Sequence, residues 1–216
     1  MLLIHRQSPA AGRVSLYSEA KIPTPRGALR LRVYRESGGG EPMAVIAGDP
    51  LPQEGTVVRI HSACFTSENL GSLKCDCREQ LNFALEYISR ERGVVVYLPQ
   101  EGRGIGLGDK IRAYALQEKG YDTMEANRRL GLPDDARTYE SAAWILRDLG
   151  IRSVRLITNN PRKMESLSSH SIRVVDRIPV NIPANEHSRR YLATKYTLMG
   201  HFAGEERHVH LAAGED

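Results

Sequence analysis

Residues 93–120 read GVVVYLPQEGRGIGLGDKIRAYALQEKG, and the order of textures in that stretch points to an α/β layer. Residues 93–98 are a short apolar run rich in β-branched side chains, as in a buried strand, whereas DKIRAYALQEKG reads as a helix. Between them glycines stand at 102, 104, 106 and 108. A strand that enters a glycine-rich loop and leaves as a helix can cradle a phosphate on free backbone N–H groups. The spacing is neither G-x-G-x-x-G nor the P-loop, each of which needs an odd interval between glycines, so a tight turn remains the plainer reading of the glycines alone. Glu101 and Arg103 add to the loop what a turn does not need. A guanidinium fork suits a phosphate, and a carboxylate suits the N–H edge of a base.

Downstream the strand-to-helix alternation continues. Residues 136–150, ARTYESAAWILRDLG, read as a helix closed by Gly150 as its C-cap; VRLIT (154–158) is a strand, NNPRK a loop, MESLSS (164–169) a helix and IRVVDRI (172–178) a further strand. Thr158 and Lys163 then lie where a strand ends and a helix begins, which makes a second anion site, although an Asn-rich turn with solvated basic residues explains the same letters. Both loops would lie beyond the carboxyl ends of strands, where open α/β sheets collect their ligands. Upstream the texture is mainly β. Leu29, Leu31 and Val33 alternate with Arg30, Arg32 and Tyr34 as in a half-buried strand with the tyrosine tip in water; SGGGEP is a turn, and MAVIAGD (43–49) and GTVVRIHSA (55–63) are two more strands. The helix REQLNFALEYISRER (78–92) places Leu81, Ala84, Leu85 and Ile88 on one face. The fold class expected is α/β: a mixed sheet with an N-terminal mainly β half and a C-terminal alternating β/α half.

All three cysteines of the chain, Cys64, Cys75 and Cys77, fall in HSACFTSENLGSLKCDC. C-x10-C-x-C is not a zinc-finger spacing, but three thiols spent on one patch read as a metal site. Three alternatives follow. His61 can close a structural Cys3His zinc, the thiols can be buried without metal, or three cysteines can leave a zinc position open for water. In the open case the zinc would lower the pKa of its water toward about 7.

Composition leaves room for these readings. The chain of 216 residues is 41% hydrophobic and carries a formal charge of +4, too little to imply a nucleic-acid surface, while clustered arginines still attract a small anion such as a nucleoside triphosphate. No apolar run is long enough to span a bilayer and the N-terminus lacks the layout of a signal peptide, so neither a membrane partner nor secretion is expected, and the location expected is cytoplasmic. Residues 1–14 read as a flexible arm, 15–201 as one catalytic domain and 202–216 as a polar tail. In that tail His208 and His210 read as part of a solvated extension.

RIHSACFTSENLGSLKCDC, YLPQEGRGIGLGDKIRAYALQEKGYDTMEAN and LITNNPRK, in that order, resemble the GTP cyclohydrolase II family, the enzymes that open GTP at the start of riboflavin biosynthesis. The resemblance runs from about residue 18 to His201. It implies a zinc held by Cys64, Cys75 and Cys77 and completed by water. It also implies hydrolysis of GTP with loss of C8 as formate and of pyrophosphate, leaving a diaminopyrimidinone ribosyl phosphate. Tyr114 matches the family's catalytic tyrosine, and Asp135 and Arg137 match its aspartate and an arginine proposed to attack the α-phosphate. A guanidinium stays protonated far above neutral pH, so stabilising charge on the departing pyrophosphate is the physically easier role for Arg137. The plain reading of that pair is a helix N-terminus with Arg137 facing solvent. Arg59, His61, Ser62, Gln80, Glu101, Gly102, Arg103, Thr123, Thr158 and Lys163 match nucleotide contacts. Magnesium would accompany the triphosphate, and a homodimer is implied by the family alone. The chain departs from the family pattern at Ala63, at Thr66-Ser67-Glu68 where Thr-Gly-Asp is usual, and at Arg78. Those changes bear on substrate detail and rate. A variant homologue that keeps the formyl group or takes another nucleotide, or a non-catalytic nucleotide-binding module with a structural zinc, are the competing readings.

Overall fold

The computed structural model describes residues 14–198 together with 200 and 202, apart from the side chains at 123, 190, 194–196 and 198. Residues 1–13 of the expected arm, His201, and the tail from 203 on, with His208 and His210, lie outside the described residues. Among the described residues no helix is long and apolar enough to cross a membrane.

One mixed sheet of seven strands forms the centre: β1 (Val14–Thr24), β2 (Gly27–Glu36), β3 (Met43–Ala47), β4 (Thr56–Ser62), β5 (Gly93–Leu98), β6 (Ser153–Ile157) and β7 (Arg173–Ile178), in spatial order β1-β2-β3-β5-β4-β6-β7. β1, β2, β3 and β5 pair antiparallel, while β5-β4, β4-β6 and β6-β7 are parallel. The helices are α1 (Phe65–Glu68), α2 (Cys77–Glu91), α3 (Leu107–Gln117), α4 (Thr123–Arg129), α5 (Glu140–Asp148), α6 (Pro161–Ser169) and α7 (Arg189–Leu198). This is the mixed sheet and the β-then-α/β order expected from the sequence.

Both faces of the sheet are covered, which is why the central strands read as unbroken apolar runs. On one face Ala142, Ala143, Ile145 and Leu146 of α5 and Leu167 of α6 share a core with Ile46, Val58, Ile60, Val94, Val96 and Leu156. On the other, Ala84 and Ile88 of α2 pack with Leu29, Val57, Val95 and Ile157. Burying each large aliphatic side chain in such a layer contributes about 1.5–3 kcal/mol before chain entropy is set against it. Gly93 is a requirement of the parallel pairing. A Cβ there would sit 2.3 Å from the Val57 carbonyl oxygen.

Several local expectations are corrected. Tyr34 does not reach water: it is fully buried on the α5 face and its hydroxyl donates to Asp148 at 2.9 Å. The alternation in β2 separates two partly buried faces, one through Leu29 and the other through Tyr34, rather than an inside from an outside. Helix α5 begins at Glu140, not at residue 136. Ahead of it the Asp135 carboxylate closes a turn on the Arg137 N–H at 3.1 Å and the Ala136 N–H donates to the Arg103 carbonyl at 3.0 Å, which holds residues 135–137 against the glycine loop as extended chain. α6 starts earlier than expected, at Pro161, where the Asn160 side chain accepts from the Arg162 N–H as an N-cap does. Gly150, with φ of +74°, follows the last turn of α5 as expected.

Parallel strands β4, β5 and β6 deliver their carboxyl ends side by side. β4 is followed by the first cysteine, β5 by the glycine loop and β6 by Thr158-Asn159-Asn160. The chain leaves β4 toward β5 on one side and later returns to β6 on the other, so a crevice opens at the switch point.

Candidate active site

At one end of this crevice the ligand atoms of Cys64, Cys75 and Cys77 lie within 4.8 Å of one another, with the sulfurs of Cys64 and Cys75 3.6 Å apart. Cys64 comes from the turn after β4, and Cys77 is the first residue of α2. The Cys64 thiol is held well below the ordinary thiol range by hydrogen bonds with Cys75 and Cys77, aided by the Lys110 ammonium, while the Cys64 neighbour pushes Cys75 up. Lys110 donates to Cys64 Sγ at 3.1 Å, Thr66 Oγ1 at 2.9 Å and Glu101 Oε1 at 2.7 Å.

His61 stands apart from the three cysteines. Its Nε2 is 2.9 Å from Glu68 Oε1, which also accepts from the Cys64 N–H, while Tyr97 donates its hydroxyl to Glu68 Oε2 at 2.8 Å. Burial drives the His61 pKa down to about 4 despite Glu68. Burial also acts to raise Glu68, but the bonds from His61, Tyr97 and Cys64 outweigh it and keep the carboxyl below its ordinary range. With Glu68 ionised, Nε2 is the donor and Nδ1 is a bare acceptor. Among the described residues the one group suited to a metal is the three cysteines, without His61.

Arg59, His61, Ser62, Gln80, Arg103, Arg137, Thr158 and Lys163 line the other end of the crevice. A wider cavity of about 270 Å³ holds Cys64, Cys75, Glu101, Gly102 and Tyr114, and the two ends share Ser62, Cys77, Arg103, Arg137 and Tyr191. Arg59 Nε, His61 Nδ1, Ser62 Oγ and both terminal nitrogens of Arg103 are buried without a hydrogen-bond partner. Orphaned polar atoms are rare in folded proteins, and here they face one crevice, as groups awaiting a polar ligand do. Arg59 is pushed down to about 10 by burial and remains cationic at neutral pH; it donates to the Ile157 carbonyl and to Gln80. Lys163 Nζ donates to the Ile60 carbonyl at 2.8 Å. Thr158 Oγ1 accepts from the Asn160 N–H at 3.0 Å.

Arg137 does not face solvent, in contrast to the plain reading of its sequence position. Its Nε and Nη2 donate to the two carboxylate oxygens of Asp135 at 2.9 and 2.7 Å, with side chains 13% and 6% exposed. Burial works against both charges, but this fork outweighs it, lowering the Asp135 pKa and raising that of Arg137. Tyr114 is pushed up to about 12, chiefly by burial, so its hydroxyl keeps its proton at neutral pH. Glu101 lines the cavity, yet its carboxylate already accepts from the Phe65 N–H, the Gly102 N–H and Lys110. Thr123 opens α4, and its side chain is outside the described residues.

The structure adds residues that sequence reasoning passed over. Lys110 and Asn160 line the crevice, and Glu68 braces His61 from behind. Tyr191 of α7 lines both ends, with Arg103 stacked 5.4 Å from its ring centroid. Phe202, assigned to the tail from sequence, donates its N–H to the Asn159 carbonyl at 2.9 Å.

Residues 15–179 match the family model described as GTP cyclohydrolase II. A GTP cyclohydrolase-2 of Neisseria meningitidis is 47% identical over 189 residues, covering 87% of this chain and 96% of that protein. Riboflavin biosynthesis proteins RibBA of Aquifex aeolicus and Synechocystis are 47% and 48% identical, over 87% and 84% of this chain. The chain spans only 47% and 34% of the length of those two relatives. A solved two-domain 3,4-dihydroxy-2-butanone 4-phosphate synthase from A. baumannii is 23% identical with a TM-score of 0.42 over 79% of this chain and 41% of that one. On the family model and the identity to these relatives, the chain belongs to the GTP cyclohydrolase II family.

Proposed function

We propose that this protein hydrolyses GTP, releasing C8 of the guanine as formate and splitting off pyrophosphate, to give 2,5-diamino-6-(5-phosphoribosylamino)pyrimidin-4(3H)-one for riboflavin biosynthesis. The observation that carries the reading is one continuous crevice with a three-thiol group at one end and Arg59, Arg103, Arg137 and Lys163 at the other, joined by shared residues. In GTP the reacting C8 lies in the imidazole ring next to the sugar-bearing nitrogen, with the triphosphate beyond the ribose, so a single bound nucleotide can meet both groups.

The donor set fits zinc. Two sulfurs each about 2.3 Å from a tetrahedral zinc stand about 3.8 Å apart, close to the 3.6 Å between Cys64 and Cys75. Cys64, Cys75 and Cys77 would hold the ion, which when bound supplies a Lewis acid and a water acidified toward neutral pH. The side chains do the rest. Tyr114 keeps a proton on its hydroxyl to offer a ring nitrogen. His61 Nδ1 accepts from a substrate hydroxyl or a water. Arg103 offers its two orphaned nitrogens to phosphate oxygens, where a bidentate fork is favoured. Arg137, fixed by Asp135, stabilises negative charge on the leaving pyrophosphate as a permanent cation. Arg59, Ser62, Gln80, Gly102, Thr123, Thr158 and Lys163 complete the nucleotide site. Because the Glu101 carboxylate already accepts from three protein donors, its contribution to base recognition comes through the loop it holds. Magnesium is carried in on the triphosphate oxygens. A cytoplasmic homodimer is the setting in which we place the enzyme.

The test is to incubate purified protein with GTP, zinc and magnesium and to follow formate, pyrophosphate and the pyrimidine absorbance. Both products are expected in equal amounts. Pyrophosphate without formate would replace this reading by a formyl-retaining enzyme, and neither product would refute GTP hydrolysis altogether.

A further inference from the structure

Lys110 is more deeply committed than a lysine on the first turn of a helix ought to be. It projects from α3, is 8% exposed, and touches the cavity wall. An ammonium has three N–H donors, and all three are taken, by Cys64 Sγ, Thr66 Oγ1 and Glu101 Oε1. No donor is left for a substrate, so the residue lines the cavity without offering it a hydrogen bond. Glu101 is fixed in turn by the Phe65 and Gly102 N–H groups, and Thr66 lies in α1, whose N-cap is Cys64. The carboxylate partner of Lys110 is therefore held by backbone, and the ammonium is locked over one sulfur.

That placement has an electrostatic consequence. Three thiolates around a divalent cation carry a net single negative charge, which is costly in a buried site unless a cation stands beside it. An N⁺–H···S⁻ hydrogen bond also draws electron density from the sulfur that accepts it. Building on the metal reading above, we propose that Lys110 is a positioning residue of the metal centre, which places a cationic donor on Cys64 and so weakens that sulfur as an electron donor, with Glu101 as its anchor rather than as a reader of the base.

The probe is Co²⁺ alone, added to the full-length metal-free protein, with the near-ultraviolet thiolate-to-cobalt absorption band as readout. Loss of the hydrogen bond raises the energy of the sulfur lone pairs, so the transition needs less energy. In Lys110→Met the band is expected at longer wavelength than in the parent protein, with one Co²⁺ still bound. Lys110→Arg, which restores a cationic donor, is expected to bring it back toward the parent position. Lys110→Gln keeps a neutral donor of similar length, is expected to move the band to the same side as methionine, and decides the matter if the methionine variant does not fold. An unmoved band in a variant with parental far-ultraviolet circular dichroism would overturn the role of Lys110 while leaving the metal site intact. Absence of any thiolate band in the parent protein would instead overturn the metal reading itself, and this inference with it.

Discussion

Replacing Arg137 by alanine removes both side-chain hydrogen bonds to Asp135, at 2.9 and 2.7 Å, and leaves a carboxylate that is 6% exposed with only the backbone N–H of residue 137 still donating to it. The nearest remaining cation is Arg162, 3.7 Å from Asp135 Oδ2, too far for a hydrogen bond. Breaking a buried ion pair by removing one partner costs about 3–5 kcal/mol. The crevice admits water and Arg162 stays nearby, so the low end, about 3 kcal/mol, applies at pH 7. For a domain of this size that is a fall in Tm of roughly 6–12 °C. The loss has a direction in pH. In the parent protein the folded Asp135 pKa lies below its unfolded value of about 3.9, so the pair stabilises above that pH, and the contribution fades as pH falls through the depressed folded pKa. In Arg137→Ala, burial, the largest single influence on Asp135, is opposed only by the backbone N–H of residue 137 and the more distant Arg103 charge, and the pKa rises from its parental position. The variant's deficit is then full at neutral pH and narrows as acid protonates the carboxyl. Urea unfolding at pH 7 and near pH 4, with Asp135→Asn and the double variant to close a cycle, measures both effects. A deficit under about 1 kcal/mol at pH 7, one that does not narrow in acid, or strictly additive single variants would refute the reasoning.

Three other outcomes are expected. Tyr114→Phe should lower kcat for formate release about a hundredfold with little change in KM; because the phenol is held up to about 12, the parent rate should show no alkaline limb from this residue below about pH 11, and a limb near 9 that vanishes in the variant would contradict that. Cys75→Ser should abolish formate release yet weaken GTP binding, read by calorimetry, by less than about tenfold, since Arg59 and Lys163 stand at the opposite end of the crevice. Tyr34→Phe should cost about 1 kcal/mol in urea unfolding by removing a hydrogen bond to Asp148, whose Oδ2 keeps Arg32 as a donor, without altering catalysis.

What was legible in the sequence was carried by residue type and local order. Three cysteines close in sequence can be weighed by their ligand chemistry, and a strand-glycine-helix run announces its own topology. The parts that were hidden depend on what lies across the sheet or the crevice. Alternation in β2 cannot say that Tyr34 meets a helix over a hundred residues later. β1 was not singled out because most of its side chains on either face are exposed, so it lacks an apolar stripe. The start of α5 was misplaced because the Ala136 N–H is taken by the Arg103 carbonyl across the glycine loop, a tertiary bond with no local sequence signal. Lys110 looked like an ordinary helical lysine because its target sulfur is 46 residues upstream. Tyr191 sits in RRYLATKYTL, whose mean polarity resembles a tail more than a wall of a crevice.

The glycine loop has one consequence that reaches beyond chemistry. Gly102, Arg103 and Gly104 all adopt positive φ, at 60°, 62° and 90°. For the two glycines that conformation is nearly free, but for Arg103 it costs about 1–2 kcal/mol, and both terminal nitrogens of the same side chain lack partners. Arg103→Gly should therefore raise the unfolding free energy by about 1 kcal/mol while weakening GTP binding. At this position a selection that rewards heat resistance and one that rewards growth without riboflavin would choose opposite residues. Any engineering effort that ranks variants by thermal tolerance alone would discard the arginine first.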